Sequence, residues 1–162
     1  MTGQSLIIEF AALEVTHLRD LLDQFAAMLE AQGDPVSPDD PAVARLVPDA
    51  YADDPAAARE FRSLTQADLL QRRIDDARLM SDSLGTAVGA DASTAPPDST
   101  VLVTLDTDAT TAWLRTLAAL RLVLASRLGI TDEADEDLED PLFGVYEWLG
   151  FRLDSLLGAL ET

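Results

Sequence analysis

Apolar residues recur along this chain in two kinds of pattern, and the switch between them predicts the elements. From about Glu14 to Gln32 the positions Leu18, Leu21, Leu22, Phe25, Met28 and Leu29 fall on one helical stripe, closed by Gly33 and Pro35. The spacing returns in Leu70, Ile74, Ala77, Met80 and Leu84, which predicts a helix opening after Thr65 and ending at Gly85. It returns again from Asp106 to Leu128, stopped by Gly129, and after Pro141 in Val145, Leu149, Leu153, Leu156 and Leu160. Two short runs follow the other pattern. Residues 6–10 (LIIEF) and 101–105 (VLVTL) are rich in β-branched residues and predict two strands that pair with each other.

The intervals are punctuated by proline and aspartate. Residues 34–54 hold Pro35, Pro38, Pro41 and Pro48 and read as a loop with at most one short helix near Pro41 to Leu46. Asp54 before Pro55 is an N-cap ahead of a first-turn proline, which predicts a short helix from Pro55 to about Ser63. Residues 86–99 are small and polar and form a flexible loop, while 131–140 form an acidic one. The fold class is therefore mainly α: a single-domain helical bundle over 1–162, with about five helices and a small two-stranded β element at 6–10 and 101–105.

One position breaks the pattern. Trp113, Leu117, Leu120, Arg121, Leu124 and Leu128 share a face of the most apolar helix, so Arg121 points to the core or to a partner. A guanidinium taken out of water stays charged and calls for a carboxylate. Glu147, Asp76 and Glu60 are the candidates, and on that reading Arg121→Ala costs about 3–5 kcal/mol.

Composition narrows the function classes. With 48% hydrophobic and 25% charged residues, 162 residues suffice to bury roughly 70% of the unfolded chain's surface. There is no cysteine, so disulfides, thiolate metal sites and cysteine nucleophiles drop out. The start lacks a signal-peptide pattern, and the apolar stretch from Trp113 to Ile130 carries Arg115, Arg121 and Arg127, which argues against a membrane span. A cytoplasmic location is the expectation. The formal net charge is −19, which argues against a nucleic-acid partner. All 11 basic residues are arginine, which reads first as the codon bias of a GC-rich genome and second as a chain with no side-chain amine for acetylation or conjugated degradation tags.

Candidate chemistry is sparse. Glu14, His17 and Asp20 lie one turn apart on a helix, but a di-iron bundle needs a second such pair and the chain has a single histidine. The run Asp132, Glu133, Asp135, Glu136 and Asp137 lacks the glycine and final glutamate of a calcium loop. It reads as a solvated connection, or as a docking surface for a basic partner. No nucleophile elbow, phosphate loop or dinucleotide fingerprint occurs, so no catalytic residue, cofactor or metal is assigned. Residues 55–78 resemble a helix-turn-helix and hold Arg59, Arg62, Arg72, Arg73 and Arg78, which makes a DNA-binding regulator the second reading; Glu60, Asp68, Asp75 and Asp76 nearly cancel that charge. Tyr51, Tyr146 and Trp148 form an aromatic group that reads first as core packing and second as an interaction surface.

Three stretches carry a family likeness: RLVPDAYADD at 45–54 followed by Glu60, Phe61 and Arg62, LRLVLASRLGI at 120–130, and VYEWLG at 145–150. Together they resemble an uncharacterised family of actinobacterial cytoplasmic proteins, a domain of unknown function often encoded beside the adaptor of the Clp protease. The resemblance implies a stand-alone helical domain with no catalytic residues to carry over, and a setting in regulated proteolysis. The first functional reading is thus a non-enzymatic protein-interaction or regulatory module with a protein partner. The surplus of apolar helix surface adds a homodimer to the expectations.

Overall fold

A computed structural model describes residues 5–31, 41–44, 46, 55–85, 88–89, 96–129 and 140–161, without the side chains of 41, 44, 55–67, 88 and 89. Strand β1 (Leu6–Ala11) leads directly into helix α1 (Ala12–Glu30); the single-turn α2 (Pro41–Ala44) and the long α3 (Pro55–Gly85) follow. The two-residue β2 (Val88–Gly89) and β3 (Thr100–Leu105) precede α4 (Thr107–Leu128) and α5 (Pro141–Leu160). The protein is mainly helical, as its apolar spacing predicts.

The two anticipated strands pair antiparallel, Leu6 opposite Leu105 through Ala11 opposite Thr100. This register puts Leu6, Ile8 and Phe10 on the same face as Val101, Val103 and Leu105, so one face of the sheet is apolar and packs on the helices. Ile7, Glu9 and Thr104 lie on the other face, in solvent. Within the interval expected to be loop, Val88 and Gly89 add a short third strand to the far side of β3, which leaves β1 as a sheet edge.

Helix α4 is central. It packs against α2, α3, α5 and β3, and both sides of it are buried: Trp113, Leu117, Leu120 and Leu124 along one stripe, Ala112, Ala119 and Ala125 beside it. Asp106 caps its start by accepting the Ala109 N–H at 2.8 Å, and Gly129, at φ 70°, ends it in the left-handed conformation. Asp140 caps α5 in the same way through the Leu142 N–H at 2.9 Å, ahead of Pro141.

Residues 55–78 correct one expectation. They form no helix-turn-helix but part of one continuous 31-residue helix, α3. Between Pro55 and Gly85 the chain has neither glycine nor proline, so nothing halts propagation through Ser63 and Thr65. Tyr51, the acids Asp132, Glu133, Asp135, Glu136 and Asp137, and most of the 86–99 and 131–140 loops lie outside the described residues.

Candidate functional site

Helix α5 joins the rest of the molecule along two seams, each organised by an arginine. On the seam with α4, the Arg121 guanidinium lies over the Tyr146 ring, 4.2 Å from its centroid, and its Nε donates to the Tyr146 carbonyl at 3.4 Å. Gly150, one turn on from Tyr146, completes the fit: a Cβ there would stand 3.0 Å from three guanidinium atoms. Among the described residues no carboxylate reaches Arg121. Asp76 is engaged by Arg115 at 3.9 Å and Glu147 is exposed, while the Glu60 side chain lies outside the described residues. Arg121 is only partly buried, and its described partners are an aromatic face and a carbonyl.

The other seam holds the ion pair, at residues the apolar spacing did not single out. Arg152 from α5 reaches back to the β1–α1 junction, where its Nη2 donates to both carboxylate oxygens of Glu14 at 3.0 Å and its Nη1 to the Glu9 carbonyl at 3.0 Å. Glu14 also accepts the Ala11 N–H at 2.9 Å, as an acid at the third helical position does, and the Trp148 indole N–H at 2.6 Å. One carboxylate therefore ties together the strand end, the helix start and the last helix. Burial pushes the Glu14 carboxyl up, but the Ala11, Arg152 and Trp148 bonds outweigh it and hold its pKa below the ordinary value. Phe10 lies under Arg152, 4.2 Å from guanidinium carbon to ring centroid, with Trp113 at 5.7 Å and Trp148 at 6.5 Å from the same ring.

A cleft opens on each side of this junction. The first, about 720 Å³, runs between α1 and α5. Glu14, His17 and Asp20 line its α1 side, and Leu142, Val145 and Trp148 its α5 side. The row expected to be too sparse for a metal is thus one wall of a groove. Among the described residues no group of His, Asp and Glu side chains is arranged to hold a metal ion. The second cleft, about 510 Å³, lies between the outer edge of β1 and the C-terminal half of α5.

Of the expected interaction residues, Trp148 reaches the first cleft, whereas Tyr146 belongs to the α4–α5 seam beneath Arg121. Two of the α3 arginines with described side chains, Arg73 and Arg78, lie against acids of the same molecule, while Arg72 is exposed. Arg78 pairs with Glu30, and Arg115 pairs with Asp76 beside the half-buried Arg73. Burial there pushes the Asp76 carboxyl up, against the opposing pull of Arg115 and Arg73. Among the described residues no helix is long and apolar enough to cross a membrane.

Neither curated proteins nor solved structures give a match to this chain. A family model described as Domain of unknown function (DUF2017) matches residues 1–160.

Proposed function

We propose, on the premise that this chain belongs to the DUF2017 family, that it is a non-enzymatic cytoplasmic interaction module whose α1–α5 cleft takes a cationic amphipathic helix from a protein partner. The observation that carries this reading is the make-up of that cleft. Asp20 stands on one rim beside Glu14, whose charge Arg152 balances, Trp148, Val145 and Leu142 stand on the other, and among the described residues no arginine is in the lining. A partner helix with an apolar stripe and basic flanks matches both rims. A net charge of −19 raises the local concentration of such a segment and speeds its encounter. The likeness of residues 45–54, 120–130 and 145–150 to proteins encoded beside the Clp protease adaptor supports regulated proteolysis as the setting in which to seek that partner.

The test is a calorimetric titration with an 18-residue helix of leucine and lysine. Saturable binding that weakens with salt is expected, with Asp20→Arg lowering the affinity about tenfold, as placing a like charge in the groove does. Asp108→Arg changes charge equally on an exposed part of α4 outside the cleft and should have little effect. Equal losses from the two variants, or equal binding of a leucine–glutamate helix, would overturn the reading.

A further inference from the structure

The second cleft carries an inference independent of the first, because its wall is backbone. In an antiparallel ladder a residue's N–H and C=O point the same way and the direction alternates along the strand. The Ala12 N–H bonds the Ser99 carbonyl at 2.9 Å, which continues the ladder, while the Glu9 carbonyl accepts from Arg152 on the opposite side. Leu6, Ile8 and Phe10 therefore face β3, and Ile7 and Glu9 face outward along an edge that no described strand pairs with. Arg152 takes the Glu9 carbonyl; the Ile7 N–H, the Ile7 carbonyl and the Glu9 N–H meet no partner among the described residues.

Edges of this kind are normally blunted by proline, lysine, a bulge or a covering element. Here neither proline nor lysine interrupts LIIEFA, and the strand pairs in unbroken register. Instead of covering the edge, α5 stands off from it and presents the small side chains of Ser155 and Ala159 across the cleft. The lining also includes Trp113, which is 1% exposed and whose indole N–H has no hydrogen-bond partner; the buried Arg152 Nε has none either. Donors and a carbonyl that meet no described partner along this trough are complemented by a second extended backbone, which a hydrocarbon ligand would not provide.

The geometry points to strand addition: an extended cationic peptide segment of a partner protein lies in the β1–α5 trough, pairs with Ile7 and Glu9 and extends the sheet. Charge selects the occupant. Glu9 stands on the exposed face of the strand, and two copies of a chain at −19 repel, so a second β1 is disfavoured relative to a basic segment.

The experiment titrates the intact protein with an acetylated and amidated five-residue peptide alternating arginine and valine, followed by amide hydrogen exchange. Submillimolar binding is expected, with slowed exchange at Ile7 and Glu9 and no change at Ile8 and Phe10, already in the ladder. Methylating the peptide nitrogens that face β1 should weaken binding about tenfold, the effect of losing one or two hydrogen bonds. Ile7→Pro removes only an outward N–H, so it should fold and lose the peptide. Equal affinity for the methylated peptide, protection at Ile8 in place of Ile7, absence of binding, or concentration-dependent dimerisation through β1 would each overturn the proposal. Asp20→Arg should leave this binding in place, which separates its failure from failure of the α1–α5 cleft.

Discussion

The two seams of α5 solve one problem, a guanidinium among apolar side chains, in opposite ways. At the α4 seam Arg121 is stacked on Tyr146 and fitted over Gly150, with no carboxylate within ion-pair reach among the described residues. At the β1–α1 seam Arg152 is gripped by Glu14, its side chain 16% and that of Glu14 30% exposed. Among the described residues, burial alone does not decide whether an arginine is paired. Geometry does: where a partner helix offers a ring, a carbonyl and a missing Cβ, cation–π contact suffices, and where three backbone segments converge, a carboxylate is needed to collect their donors. The first arrangement closes its seam, and the second leaves clefts on both sides.

Substitutions should separate the seams by size of effect. Glu14→Ala orphans the Arg152 guanidinium, the Trp148 indole and the Ala11 N–H together, and should cost about 2–4 kcal/mol in urea unfolding. Arg121→Met keeps the aliphatic packing and loses the ring contact, for about 1 kcal/mol. That is well below the 3–5 kcal/mol anticipated for an orphaned ion pair, and a loss of that larger size would mean a hidden carboxylate. Gly150→Ala sets a methyl 3.0 Å from the Arg121 guanidinium, which must shift by a few tenths of an ångström, while alanine gains about 1 kcal/mol of helix propensity. The two should nearly cancel in the single variant, and the propensity gain should emerge when Gly150→Ala is made in an Arg121→Ala background.

Acid titration gives a gentler comparison. Because the folded-state pKa of Glu14 lies below its ordinary 4.5, the unfolded chain takes up the proton first as pH falls. Its contribution is therefore complete above that value and lost as pH drops through the folded one. Glu14→Gln should flatten this acid limb in unfolding midpoints taken at about pH 5 and about pH 3, whereas Arg121→Met should leave its slope unchanged.

Much of the frame is legible in periodicity. The helical stripes of α1, α4 and α5 and the pairing of residues 6–10 with 101–105 follow from apolar spacing and β-branched runs, since one buried face per element suffices to specify them. The break proposed inside α3 failed because Thr65 and Asp68 mimic a capping box, while the absence of glycine and proline governs whether a helix continues. For Arg121 the sequence locates the charge but not its aromatic neighbour: the cost of burial calls for a carboxylate, whereas Tyr146 and Gly150, spaced four apart within VYEWLG, carry the signal for the ring and the close fit. Arg152 sits on the apolar side of α5 beside Leu149, Leu153 and Leu156, the same irregularity in the pattern as Arg121. Its partner Glu14 was visible only as a helix acid near His17, because the meeting of residues 138 apart in sequence is a product of topology.

The two tryptophans divide the clefts between them, Trp148 in the first and Trp113 in the second. The most direct measurement of the proposed function is thus an NMR titration of both indole N–H resonances with the leucine–lysine helix. The account predicts a saturable, salt-sensitive shift of the Trp148 signal with the Trp113 signal unmoved. Movement of Trp113 alone, or of neither, would contradict it.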